Sequence, residues 1–117
     1  MIFNLDKSAG NPVGIVVLSV RVDAHNSSEL QKAFVHWMQY TSSFVFDCSG
    51  LDFIDSSGLG TIVSCLRKAL EKNGDLKLAA LNQKVALVFE LTKAKKLFSI
   101  FESAEEAIKS FASPMTA

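Results

Sequence analysis

Four times along the chain, a short apolar or β-branched run gives way to a stretch with apolar residues at helical spacing. The strand-like runs are Gly14–Val20, Phe44–Asp47, Leu76–Leu81 and Leu97–Phe101. The helical stretches are Ser28–Tyr40, Thr61–Asn73, Gln83–Leu91 and a last one from Ala104 to about Ala112. Ahead of them, Ile2–Lys7 alternates apolar and polar residues, as a half-exposed strand does, and Ser8–Pro12 is a cluster of turn formers, so a hairpin opens the chain. Repeated strand–helix units imply parallel strands joined by right-handed crossovers. The expected fold is α/β: a hairpin strand, then a mostly parallel sheet whose helices lie mainly on one face. A length of 117 residues suits one domain, expected over residues 1–117, with enough chain to bury a core without metal or disulfide.

The densest chemistry lies between the second strand and second helix of that series, in Asp52-Phe53-Ile54-Asp55-Ser56-Ser57-Gly58-Leu59-Gly60. An acid, two hydroxyls and two glycines fall where a helix begins. The first N–H groups of a helix have no partner within it and carry partial positive charge. Ser56 is expected to cap that end and to be the functional hydroxyl; a phosphate on it would sit where helix ends favour anions. Gly58 and Gly60 are expected to keep the first turn clear for an approaching protein. Further along, Asn73-Gly74 is expected to end this helix in a left-handed turn. Ser103, answered by Glu106 three residues on, resembles a capping box, and Ser113-Pro114 is expected to stop the last helix and leave a frayed end.

Charge and cysteines narrow the function. Net charge is zero, which gives no bulk attraction to nucleic acid or an anionic membrane. Cys48 and Cys65 stand far apart with no C-x-x-C, and are read as buried free thiols. No signal peptide or spanning segment is visible, so the expected location is the cytoplasm. Trp37 has the spacing of a core residue and His36 that of a surface one. Lys93, Lys95 and Lys96 form a basic turn, either solvated or facing an acidic partner, and too short for nucleic acid.

Several chemistries fail on residues. A dinucleotide fingerprint would need a third glycine where Val63 stands, and a P-loop needs a G-K-[ST] that is missing. Ile54 stands where a nucleophile elbow needs glycine. No His or Cys set has metal-ligand spacing. Asp47, at a strand end, would serve as a phospho-accepting aspartate only with an acid pair near the N-terminus, and Asp6 stands alone there; it reads instead as an acid bonding loop N–H groups. No cofactor and no catalytic residue are expected.

The run Phe44-Val45-Phe46-Asp47 through Asp52-Phe53-Ile54-Asp55-Ser56-Ser57-Gly58-Leu59-Gly60 resembles the signature of the anti-sigma factor antagonists, the STAS domain family. Val22-Asp23-Ala24 resembles the family's first loop, and Phe89-Glu90-Leu91 with Leu97–Ala107 its C-terminal pattern. Two departures are Val20, where the family usually has glycine, and Lys93-Ala94-Lys95-Lys96, where it often has Gly-Leu. The resemblance implies a binding protein and not an enzyme. Its unphosphorylated form would bind an anti-sigma factor that is also a serine kinase, releasing a sigma factor. Phosphorylation of Ser56 would end that binding, and a PP2C-type phosphatase would restore it. Asp23, Asp55, Ser56, Ser57, Gly58, Leu59 and Gly60 are then the expected partner-binding residues. The alternative within the same fold is a STAS subunit of a transport or signalling complex that is never phosphorylated.

Overall fold

The computed structural model describes residues 1–112. Its frame is a five-stranded sheet in the order β1-β2-β4-β6-β7, built from β1 (Ile2–Asp6), β2 (Val13–Val17), β4 (Ser43–Asp47), β6 (Asp75–Ala79) and β7 (Ile100–Phe101). β1 runs antiparallel to β2, closing the expected hairpin, and every other pairing is parallel. The helices are α1 (Ser27–Trp37), α2 (Ser56–Glu71), α3 (Gln83–Leu91) and α4 (Ala104–Lys109).

The parallel strands are apolar on both faces because both faces are covered. In register across one face stand Phe3, Val16, Phe46, Leu78 and Ile100. Leu30 and Phe34 of α1, Ile62, Cys65 and Leu66 of α2, and Val85 and Phe89 of α3 close over that face. The Phe34 ring lies 4.5 Å from that of Phe44. The other face carries Val13, Val45 and Ala79, and α4 covers them with Ala107. Three helices on one side and one short helix on the other match the expected layout. Trp37 is half-buried, stacked on Phe3 at 5.2 Å, and His36 is exposed. Both cysteines are free and buried.

Several boundaries differ from expectation. The strand expected over Gly14–Val20 ends at Val17, and a separate short strand, β3 (Arg21–Val22), follows it. β3 pairs in parallel with β5 (Phe53–Ile54), just ahead of the second helix, and the pair forms a second, two-stranded sheet. Backbone bonds from the N–H groups of Asp52 and Phe53 to the Val20 carbonyl, at 2.8 and 3.1 Å, bring the two together. α1 ends at Trp37 instead of Tyr40, and Asn26 at its start makes no capping bond: its side chain accepts the Asp23 N–H and donates to the Arg21 carbonyl. The expected last strand is only Ile100–Phe101, preceded by a 3-10 turn at Ala94–Leu97. α4 stops at Lys109. Ser113-Pro114 and the end beyond it lie outside the described residues.

At the C-terminus of α2, Asn73 takes the left-handed backbone, φ 62°. Gly74 serves a different end: a Cβ there would stand 1.8 Å from the Ser42 carbonyl oxygen. The two chain segments meet backbone to backbone at that point.

Candidate functional site

The amino end of α2 is fixed by Asp55 and not by Ser56. Asp55 has extended backbone and its Oδ1 accepts the Gly58 N–H at 2.8 Å, which makes it the cap. Its other oxygen, Oδ2, accepts the Ala24 N–H at 3.2 Å, tying the loop after β3 to the head of α2. One carboxylate thus satisfies two N–H groups from separate parts of the chain. The aspartate wins the cap over the serine because the chain is still extended, in continuation of β5, when it reaches residue 55.

Ser56 is therefore the first residue inside the helix. It is exposed, and among the described residues its hydroxyl takes part in no side-chain hydrogen bond. Ser57 is likewise exposed, Leu59 is half-buried, and Gly60 is exposed, with nothing within 4 Å of a Cβ built there. Gly58 departs from expectation. It is buried, and a Cβ would stand 2.1 Å from the Val22 carbonyl oxygen. The glycine lets α2 press against β3 from inside the molecule; it clears no path for a partner.

Asp23 also faces inward, 7% exposed. Its carboxylate accepts from Arg21 Nε at 3.1 Å and from the His25 N–H at 3.0 Å, while its carbonyl accepts from the Ser27 hydroxyl at 2.6 Å. Burial would raise its carboxyl, but the Arg21 bond, the His25 N–H and the charges of both residues outweigh that and hold it below the ordinary carboxylate range. Asp23 shapes the loop that Asp55 grips. Arg21 in turn lies over the Phe53 ring, 4.1 Å from its centroid, bracing β3 on β5.

Two contributors escape sequence reasoning. Asn82 caps α3 by accepting the Val85 N–H at 2.9 Å, and its amide donates to the Leu51 carbonyl at 3.1 Å, so the head of α3 is fastened to the loop leading into the site. An Asn just ahead of an apolar helical pattern was the available signal. The second is a groove of roughly 560 Å³ between α2 and the segment from α3 through the 3-10 turn. Ser56 stands at one end of it, and Arg67 and Lys93 line it further along.

Asp47 bonds the Ser49 N–H at 3.0 Å, as a strand-end acid should. Burial pushes the Cys48 and Cys65 thiols up to about 12, which leaves them protonated and unreactive at neutral pH. Among the described residues, no group of His, Cys, Asp and Glu has the arrangement to hold a metal ion, and no helix is long and apolar enough to cross a membrane.

The STAS domain family model matches residues 4–107. The anti-sigma-B factor antagonist of Bacillus subtilis is 21% identical over 94 residues, which is 80% of this chain and 86% of that protein. The anti-sigma factor antagonist SpoIIAA in its unphosphorylated form superposes with a TM-score of 0.75 at 22% identity, covering 93% of this chain and 95% of that one. The Bacillus SpoIIAA has also been solved in its phosphorylated form, with a TM-score of 0.69 at 19% identity over 93% and 98% of the two chains. The murine anion transporter Slc26a9 contains the same fold: TM-score 0.71, 15% identity, 82% of this chain but 17% of the transporter.

Proposed function

The chain belongs to the STAS domain family, and from that premise we propose that it is an anti-sigma factor antagonist switched by phosphorylation of Ser56. In the unphosphorylated state it binds an anti-sigma factor that is also a serine kinase, and a sigma factor is released. The kinase phosphorylates Ser56, binding ends, and a PP2C-type phosphatase returns the chain to the binding state. The observation that carries this reading is the Ser56 hydroxyl: exposed, engaged in no side-chain bond among the described residues, and held at the head of α2 by a neighbour that does the capping. That a similar protein, SpoIIAA, exists in phosphorylated and unphosphorylated forms supports it.

The division of labour between Asp55 and Ser56 suits a switch. Because Asp55 holds the helix, Ser56 can be modified without uncapping α2. The phosphate brings close to two negative charges, which the helix dipole tolerates locally. A partner docked on the same turn must then accommodate that charge beside the Asp55 carboxylate. A penalty of about 3 kcal/mol weakens binding more than a hundredfold. The fold itself need not change.

Incubation with the cognate anti-sigma kinase and ATP is expected to add the mass of one phosphate at Ser56, and Ser56→Ala to abolish it. Ser56→Asp is expected to bind the anti-sigma factor at least a hundredfold more weakly than wild type, by the same arithmetic. Equal affinity for wild type and Ser56→Asp would overturn the switch. A Ser56 that no such kinase modifies would favour the other reading, a STAS module serving a larger complex without phosphorylation, as the fold's place within a transporter allows.

A further inference from the structure

The groove that begins at Ser56 has a definite length, floor and charge. Along α2, Ser56, Leu59, Gly60, Val63 and Arg67 recur at three- and four-residue steps and form one stripe facing the groove. From Ser56 to Arg67 the helix rises about 16 Å, three turns. Val63 and Val88 are half-buried along it, and Leu97, 55% exposed, stands on the opposite rim. Gly60 lies midway with open space where a side chain would be. That absence lets a second backbone come close over the middle of the stripe.

The charges are one-sided. Arg67 and Lys93 line the groove and are exposed, and neither is in a salt bridge among the described residues. The one acid in the lining, Asp55, already accepts from Gly58 and Ala24. Neighbouring Lys95 is paired with Glu90 at 3.3 Å, and Lys93 lines the groove together with Arg67. Lys93 holds its place at a conformational cost: it has φ 63° at the residue just past the end of α3, where glycine is the relaxed choice.

We propose that this groove receives an amphipathic helical segment of the partner protein, about three turns long, its apolar stripe seated on Leu59, Val63 and Leu97 and its acidic residues met by Arg67 and Lys93. The inference rests on the binding-protein reading above, since it names the segment as the partner's, but it concerns a step that needs no phosphate. Charge complementarity selects an acidic segment over a neutral or basic one, and the groove's length matches a helix of that size. A phosphate on Ser56 at the end of the same groove repels an acidic occupant, which extends the switch from the α2 terminus to the whole docked segment.

The test uses the unphosphorylated full chain and no kinase, so its failure leaves the Ser56 switch standing and failure of the switch leaves the groove standing. Two designed amphipathic peptides of three helical turns share one apolar stripe; one is flanked by glutamates, the other by lysines. Each is titrated into nitrogen-15-labelled protein at low salt. The glutamate peptide is expected to shift the amides of Leu59, Gly60, Val63 and Leu97 and to bind about tenfold tighter than the lysine peptide, with the difference shrinking as salt is added. Arg67→Glu with Lys93→Glu is expected to invert the preference. Gly60→Leu, with open space around its new Cβ and better helix propensity, is expected to keep the fold and lose the shifts. Lys93→Gly is expected to raise the melting temperature and yet weaken the glutamate peptide. Equal affinities for the two peptides, shifts centred away from the groove, or a groove filled by a second copy of the chain in a concentration-dependent dimer would each overturn the proposal.

Discussion

At residue 55 and residue 56 the chain separates the capping group from the exposed hydroxyl. Asp55 accepts the Gly58 and Ala24 N–H groups, and Ser56 beside it makes no side-chain bond among the described residues. Replacing Asp55 by Ala leaves the head of α2 uncapped and unties the β3 loop, a loss expected at about 2 kcal/mol. Ser56→Ala removes an exposed, unbonded hydroxyl and is expected to change stability by less than about 0.5 kcal/mol. Urea unfolding of the two variants measures both; a Ser56→Ala loss as large as that of Asp55→Ala would return the cap to the serine. The sequence supports either residue as cap, since Asp and Ser are equally good at it. What decides is the pairing of Phe53-Ile54 with Arg21-Val22, which keeps the chain extended through residue 55. The role of Gly58 was hidden for the same reason. Its glycine is required by the Val22 carbonyl, a neighbour distant in sequence.

Among the elements, those with a clear apolar period or a cap were legible, and β3, β5 and the 3-10 turn were not. β2, β4, β6, α2 and α3 stand where the apolar spacing puts them, to within a few residues. β3 and β5 have two residues each, too few for any period to show, and their pairing is a contact between distant segments. The 3-10 turn at Ala94–Leu97 blurred into the strand read after it. α4 was legible from its cap: the Ser103 hydroxyl accepts the Glu106 N–H at 3.2 Å. With six residues it holds no helix by itself, and tertiary contact must keep it. Ala107 is fully buried against the face of Val13, Val45 and Ala79. Lys77, reaching up from β6, donates to the Ser110 hydroxyl at 2.6 Å and lies 3.9 Å from the Phe111 ring centroid. Burial holds that lysine below its ordinary range, with Asp75 pulling the other way. Ala107→Asp sets an unpaired charge under α4 and is expected to cost about 3 kcal/mol. Because α4 and the groove lie on opposite faces of the sheet, the variant that remains folded is expected to bind partner normally. A binding loss beyond the unfolded fraction, measured at a temperature where folding is near complete, would mean the faces are coupled.

For the molecule as a whole, local hydrogen bonds on the acid side and burial on the alkaline side set how stability responds to pH. On the acid side Asp23 and Asp6 are held below the ordinary carboxylate range, Asp23 by Arg21 and the His25 N–H against its burial, and Asp6 by the Ser8 hydroxyl and N–H. A depressed carboxyl contributes stability that is present above its unfolded value, roughly 4, and is lost as pH falls through the folded one. On the alkaline side the sign reverses. Cys48 and Cys65 ionise near 8.5 in the unfolded chain, about the free-thiol value, but are pushed up to about 12 in the core. Between those limits the unfolded state sheds protons that the folded state retains, so stability falls as pH rises, by about 1.4 kcal/mol per pH unit for each thiol. The double variant Cys48→Ala with Cys65→Ala starts less stable, since each substitution empties a little core volume, but lacks the two thiols that create the alkaline slope. Denaturant unfolding at a series of pH values between about 9 and 11, inside the window those thiol values set, is expected to give a steep decline for wild type and a much flatter one for the variant. Parallel declines would mean that the two thiols reach water in the folded state, and that the face of the sheet under α2 is less tightly closed than its packing indicates.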